Sequence, residues 1–118
     1  MPEYNSLTPA LIEQLCAIVG ERNVIHDDRE KLEVYAKDEL PGERYAHLPE
    51  VVVKPTTTEE VSAVMKLANE NQIPVTPRGA GTGLAGGAIP MYGGILLSLE
   101  RMNRILEVDV ENLVVVTE

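Results

Sequence analysis

The residues best suited to chemistry lie in one stretch, Pro77 to Pro90, reading PRGAGTGLAGGAIP. Five of the chain's nine glycines, Gly79, Gly81, Gly83, Gly86 and Gly87, fall within nine residues there. Glycine has the most backbone freedom to lose on folding, so this density implies unusual dihedral angles or the close approach of another group to the backbone. Successive N–H groups in such a loop can converge on one anion, and phosphate is the expected one. A flexible linker is the alternative, but linkers of that kind are rich in serine and other polar residues. This stretch has no serine and carries Leu84, Ala85, Ala88 and Ile89.

Charge narrows the choice of partner. Formal net charge is −9, from 10 basic and 19 acidic side chains. Nucleic-acid backbones are bound through lysine and arginine, so this balance argues against nucleic acid. A phosphate site here must rest on backbone dipoles rather than a basic patch. Arg78 is the only positive side chain between Lys66 and Arg101. It can offset phosphate charge or form a structural ion pair. With no tryptophan or phenylalanine and only 4 tyrosines, the core is expected to be aliphatic and base-stacking platforms scarce. The single Cys16 cannot form an internal disulfide and sits in an apolar helical pattern. It reads as a buried structural thiol in a reducing, cytoplasmic setting. No apolar run approaches the ~18 residues that span a bilayer, and MPEYNSLTPA lacks the layout of a signal peptide.

Several elements must hold the loop in place. Thr8-Pro9 reads as an N-cap with proline at the first helical position, followed by an apolar face through Val19 and a stop at Gly20. Val24-Ile25 predicts a short strand, and Asp27-Asp28 caps a weaker helix to about Ala36, with Leu32 and Tyr35 inward. Asp38 to Pro49 reads as a solvated loop with a turn at Pro41-Gly42. Its Asp38, Glu39 and His47, with Glu50 just beyond it, match no metal-ligand spacing. Val51-Val52-Val53 predicts a buried strand. Thr57 with Glu60 fits a capping box, and Val61, Val64, Met65, Leu67 and Ala68 predict one helical face. Ile73 to Thr76 predicts a second strand, parallel to the first because a helix links them. The glycine loop leaves from its end. Ile95 to Ser98, Ile105 to Val108 and Leu113 to Thr117 predict three more strands, the last two joined by a turn at Glu111-Asn112.

Gly81-Thr82-Gly83-Leu84-Ala85-Gly86 satisfies GxGxxG, with Glu107 and Asp109 about twenty residues on, as in a dinucleotide fingerprint. That fingerprint needs a helix opening within the glycines. Pro90 and Gly93-Gly94 follow too soon for one. The GK[ST] triplet of a P-loop is also missing. What is left is a glycine loop bridging two strands, binding phosphate without a helix dipole.

The strand PEVVVKP, the helix TTTEEVSAVMKLANENQIPV, the loop PRGAGTGLAGGAIP and the run GGILLSLERMNRILEVD together resemble the first FAD-binding subdomain of the p-cresol methylhydroxylase / vanillyl-alcohol oxidase group. Within it the likeness leans toward glycolate oxidase flavin subunits and D-lactate dehydrogenases, and covers residues 25 to 118. The resemblance implies an α+β fold, a small mixed or parallel sheet flanked by helices. Residues 1–49 are then a helical lead-in and 50–118 the subdomain. It also implies that Arg78, Gly79, Ala80, Gly81, Thr82, Gly83 and Leu84, with Gly87 nearby, hold the FAD pyrophosphate. Some relatives attach FAD through a histidine in this loop. There is none here, so non-covalent FAD is expected.

The implied activity of the whole protein is oxidation of a small 2-hydroxy acid, glycolate or D-lactate, with hydride passing to the flavin and electron-transfer subunits as conceivable partners. An FAD-dependent sugar or alcohol oxidase of the same fold is an alternative, as is a non-catalytic nucleotide-binding or interaction module. An apolar strand ending at Glu118 leads to the expectation of an N-terminal piece of a longer protein, inactive alone, with an exposed sheet edge prone to self-association. No catalytic residue is transferred onto this chain.

Overall fold

Two runs without a polar break form the centre of the fold. Val51, Val52 and Val53 are fully buried, as are Ile95 and Leu96, with Leu97 nearly so. Strands covered on both faces carry such runs, because neither face can be left polar. The computed structural model describes residues 3–118; Met1 and Pro2, which open the N-terminal stretch read above, lie outside them.

The main sheet holds four strands: β1 (Val24–Ile25), β2 (Val51–Val53), β3 (Val75–Arg78) and β4 (Ile95–Ser98), in the order β1-β2-β4-β3. Strand β4 runs parallel to both β2 and β3, with Val52 and Thr76 both opposite Leu96. Strand β1 is antiparallel to β2. Alternate side chains serve opposite layers. Val51, Val53, Ile95 and Leu97 pack with Leu11, Leu15 and Val19 of α1 (Pro9–Val19) and Val64 and Ala68 of α3 (Thr58–Glu70). Val52 and Leu96 pack on Tyr35 and on Leu32 of the short helix α2 (Arg29–Glu33).

The caps read from the sequence are present. Thr8 Oγ1 accepts from Leu11 N, and Gly20 closes α1 at φ +90°. Asp28 Oδ1 accepts from Lys31 N at the start of α2. Thr57 Oγ1 accepts from Glu60 N at 3.1 Å, but Glu60 returns its carboxylate to Thr56 N at 2.6 Å, one residue earlier than a capping box requires. Thr57→Ala is expected to lower stability by about 1 kcal/mol, the typical cost of losing a side-chain cap. Urea denaturation of the two chains measures it.

Some expectations shift. Met65 lies on the exposed side of α3, at 45% exposure, because it is turned away from the layer formed by Val64 and Ala68. Cys16 is only partly buried. Burial and the neighbouring carboxylates of Glu21 and Glu13 push its thiol up, toward the unreactive form. The second parallel strand begins at Val75 rather than Ile73 and continues through Pro77 and Arg78. As the edge strand, β3 tolerates a proline that cannot donate to a ladder.

Strands β5 (Ile105–Asp109) and β6 (Val114–Thr117) form a separate antiparallel hairpin. Its turn is held by Asn112, whose N and Nδ2 donate to the two oxygens of Asp109. Leu106, Val108, Val115 and Val116 are all exposed. No helix among the described residues is long and apolar enough to cross a membrane.

Candidate functional site

The loop that leaves β3 enters neither helix nor strand again until Ile95. Gly81 and Gly86 adopt φ of +72° and +77°, the left-handed region that glycine enters without strain. The hydrogen bonding of this loop is one-sided. Two of its carbonyls are engaged: Gly83 O accepts from Glu39 N at 3.0 Å and Gly86 O from Ile89 N at 3.1 Å. Among the described residues, no backbone N–H from Gly79 to Ala88 donates to another group of the protein. Buried backbone donors in folded chains overwhelmingly find partners within the protein, whereas exposed ones are left to solvent or to a ligand. Ten successive residues without one form an array that an external acceptor can use. The carbonyl anchors fix the loop from beneath while the amides stay available.

The residues expected at the site gather here. Gly79, Ala80, Thr82, Gly83, Leu84 and Gly87 are exposed, and Gly81 and Arg78 half-buried. Leu84 stands 71% exposed, an apolar side chain presented to solvent beside the free amides. Arg78 forms no ion pair among the described residues, contrary to one of its two expected roles. Its Nη1 donates to Lys37 O at 2.8 Å, and its guanidinium lies over the Tyr35 ring, 5.6 Å from the centroid. The charge is thus oriented but not neutralised. It crosses beneath Gly81, where a Cβ would fall 2.9 Å from Arg78 Nε and closer still to its Cζ and Nη2.

Asp38 to Leu40 corrects the expectation of a solvated loop. This segment lies against the glycine loop. Glu39 N holds Gly83 O, and the Leu40 side chain is 3.3 Å from where a Cβ on Gly86 would sit. Asp38 is only 9% exposed. Its Oδ1 accepts from Leu40 N at 2.9 Å, whereas its Oδ2 has no partner. Among the described residues, the buried polar side-chain atoms without a hydrogen-bond partner are Asp38 Oδ2 and Ser98 Oγ. Ser98 sits opposite Arg78 in the β3–β4 ladder, whereas Asp38 Oδ2 lies against the loop itself. YAKDEL has no period that could have revealed this, because its partners lie more than forty residues away. Glu50 is also structural: its Oε1 accepts from Leu7 N and its Oε2 from Gly94 N.

A polar cluster stands at the same carboxyl ends of the strands. Lys54, which follows β2, pairs with Glu100, which follows β4, at 2.6 Å. Tyr35 Oη donates to the Glu100 carboxylate at 3.3 Å. Burial alone would raise the Glu100 carboxyl; Lys54 and the Tyr35 hydroxyl hold it below the usual carboxylate range. A carboxyl lowered on folding contributes stability above its unfolded value, and that contribution is lost as pH falls through the folded one. The stability gap between the parent chain and Glu100→Gln is therefore expected to be constant above pH ~5.5 and to shrink below pH ~4, since an unperturbed glutamate titrates near 4.3. Urea midpoints across that range measure it.

Comparison with known proteins places this architecture. The FAD binding domain family matches residues 49–118. The chain is 49% identical over 113 residues to a D-lactate dehydrogenase of Anaerostipes hadrus, covering 96% of this chain and 23% of that protein. It is 38% identical over 107 residues to the glycolate oxidase subunit GlcD of Bacillus subtilis, covering 91% and 22%. The crystal structure of p-cresol methylhydroxylase with substrate bound superposes with a TM-score of 0.73 at 30% identity, over 90% of this chain and 22% of that one. The fold is the α+β arrangement of that FAD-binding domain. The chain spans under a quarter of the length of these relatives.

Proposed function

The chain belongs to the FAD binding domain family of FAD-linked oxidoreductases, and we propose that its glycine loop holds the pyrophosphate of that cofactor. The observation that carries the reading is the run of unengaged amides from Gly79 to Ala88. Gly79, Ala80, Gly81, Thr82, Gly83, Leu84 and Gly87 supply backbone N–H donors, and Thr82 adds a hydroxyl. Arg78 supplies one positive charge, held on Lys37 O and Tyr35 so that it faces the loop rather than a carboxylate. In a chain of net charge −9, oriented backbone dipoles are the available means of stabilising two phosphate charges. The absence of histidine between Pro77 and Pro90 supports a non-covalently held flavin.

For the whole protein, we infer oxidation of a small 2-hydroxy acid, glycolate or D-lactate, to the 2-oxo acid. The likeness to relatives named for those substrates supports this. FAD supplies the hydride acceptor. This chain's residues bind and orient the cofactor's phosphate end and contribute no acid or base to the reaction. The 118-residue chain by itself is expected to show no substrate-dependent flavin reduction. The test is anaerobic bleaching of the flavin absorbance of the whole protein. Bleaching by D-lactate or glycolate is the expected result. Bleaching only by an alcohol, a sugar or a 4-alkylphenol would move the substrate assignment, and a protein purified without flavin that fails to take it up would contradict the reading.

A further inference from the structure

A carboxylate that is nine-tenths buried, with one oxygen unpartnered, is costly to keep unless something compensates it. Asp38 is such a group. Its surroundings are specific. Oδ1 is used locally, by Leu40 N. Oδ2 points at the glycine loop, 3.7 Å from where a Cβ on Gly83 would lie. The next residue, Glu39, donates its N–H to Gly83 O, so the spacing between Asp38 and this turn of the loop is fixed by a backbone bond. The turn Thr82–Leu84 brings three backbone N–H groups and one hydroxyl, none of which has an acceptor in the protein. A buried acceptor without a donor thus lies beside a turn whose donors have no acceptor in the protein.

We propose that Asp38 is a positioning residue for the loop: when FAD is bound, its free oxygen takes a donor from the turn Thr82–Leu84, and this decides which of the remaining amides face the pyrophosphate. The inference rests on the pyrophosphate reading above. The unpaired oxygen of the free chain is then a strained ground state that binding relieves, as is common at sites kept for function rather than stability. It also explains why an acidic residue sits under a loop that receives an anion. The carboxylate polarises the turn's donors on one side while the diphosphate engages its neighbours on the other, so the chain of dipoles is aligned by both.

Asp38→Asn is the informative substitution. Asparagine keeps an oxygen for Leu40 N but replaces the free oxygen with an amide group that cannot accept. The variant without FAD is expected to melt no lower than the parent, because the buried oxygen that lacks a donor has gone. Its FAD dissociation constant is expected to rise at least tenfold, and the response of the Thr82–Leu84 amide resonances to FAD to shrink. FAD affinity within twofold of the parent overturns the proposal, as does a lowered melting temperature with affinity retained, which would mark Asp38 as merely structural. Should the variant not fold, the parent still decides: the Asp38 carboxyl carbon resonance moves on FAD addition if Oδ2 gains a donor, and a static resonance overturns the idea. If the parent's own loop amides ignore FAD, the pyrophosphate reading has failed and the Asp38 role falls with it. If they respond and the Asn variant matches the parent, only the Asp38 role has failed.

Discussion

Gly81→Val is expected to weaken FAD binding at least a hundredfold while leaving the sheet intact. Gly81 holds φ at +72°, where a β-branched residue is strained by about 1–3 kcal/mol. A side chain there also meets the Arg78 guanidinium, with Nε at 2.9 Å from the new Cβ. The obstacle is the far end of a flexible side chain, so it yields. In yielding it leaves Lys37 O and the Tyr35 face, and the one cation of the loop loses its orientation. Relaxing φ re-aims the amides on either side of the residue. Two charge-assisted hydrogen bonds, each about 1.5–3 kcal/mol, then suffice for a hundredfold loss, at 1.4 kcal/mol per decade. Gly87→Ala is the control. Gly87 has no positive φ and no atom within 4 Å of a Cβ, and alanine keeps its N–H, so affinity should change less than about threefold. Flavin fluorescence titration reads both, with far-ultraviolet circular dichroism to confirm the fold.

Gly94→Ala is expected to unfold the chain at temperatures where the parent is native. Gly94 is buried at the entry to β4, with φ +67°. A Cβ there overlaps the carbonyl oxygen of Pro74 and lies 2.6 and 2.8 Å from carbons of its ring. Here the obstacle is backbone, immediately before the strand that pairs with β4, so it cannot step aside. Gly94 also donates to Glu50 and accepts from Glu50 N and Val51 N, so any shift propagates into β2. Dihedral strain of about 1–3 kcal/mol and a further 1–3 kcal/mol of overpacking together remove a large share of the roughly 5–15 kcal/mol available to a domain. A fall in Tm of at least about 10 °C is expected by calorimetry. Gly79→Ala, with nothing within 4 Å of its Cβ, should leave Tm unchanged.

Contrasts of this kind explain what could be read from the chain and what could not. Thr8-Pro9, Asp28 and Thr57 act on amides three residues away, so their caps were visible as local patterns. Val51–Val53 and Ile95–Leu97 announced double burial because nothing polar interrupts them. The absence of a helix after the glycines followed from Pro90 and Gly93-Gly94, which lie within the same short stretch. The shape of the loop site was less legible. Nothing local told that β4 would insert between β2 and β3, so Gly93-Gly94 read only as a bar to a helix and not as the point where two strands press together. The segment Asp38–Leu40 looked solvated because its partners, Gly83 and Gly86, are remote in sequence. Its role rests on one backbone bond and one apolar contact that no periodicity encodes. The role of Glu50 was hidden in the same way, since its two acceptor bonds reach Leu7 and Gly94.

The most direct measurement is amide NMR of the 118-residue chain titrated with FAD to millimolar concentration, which detects even weak binding. Saturable shifts concentrated at the N–H groups of Gly79 to Gly87, with the Arg78 side chain following, are the predicted result. Shifts centred elsewhere, or loop amides that stay still while FAD binds, would contradict the pyrophosphate loop.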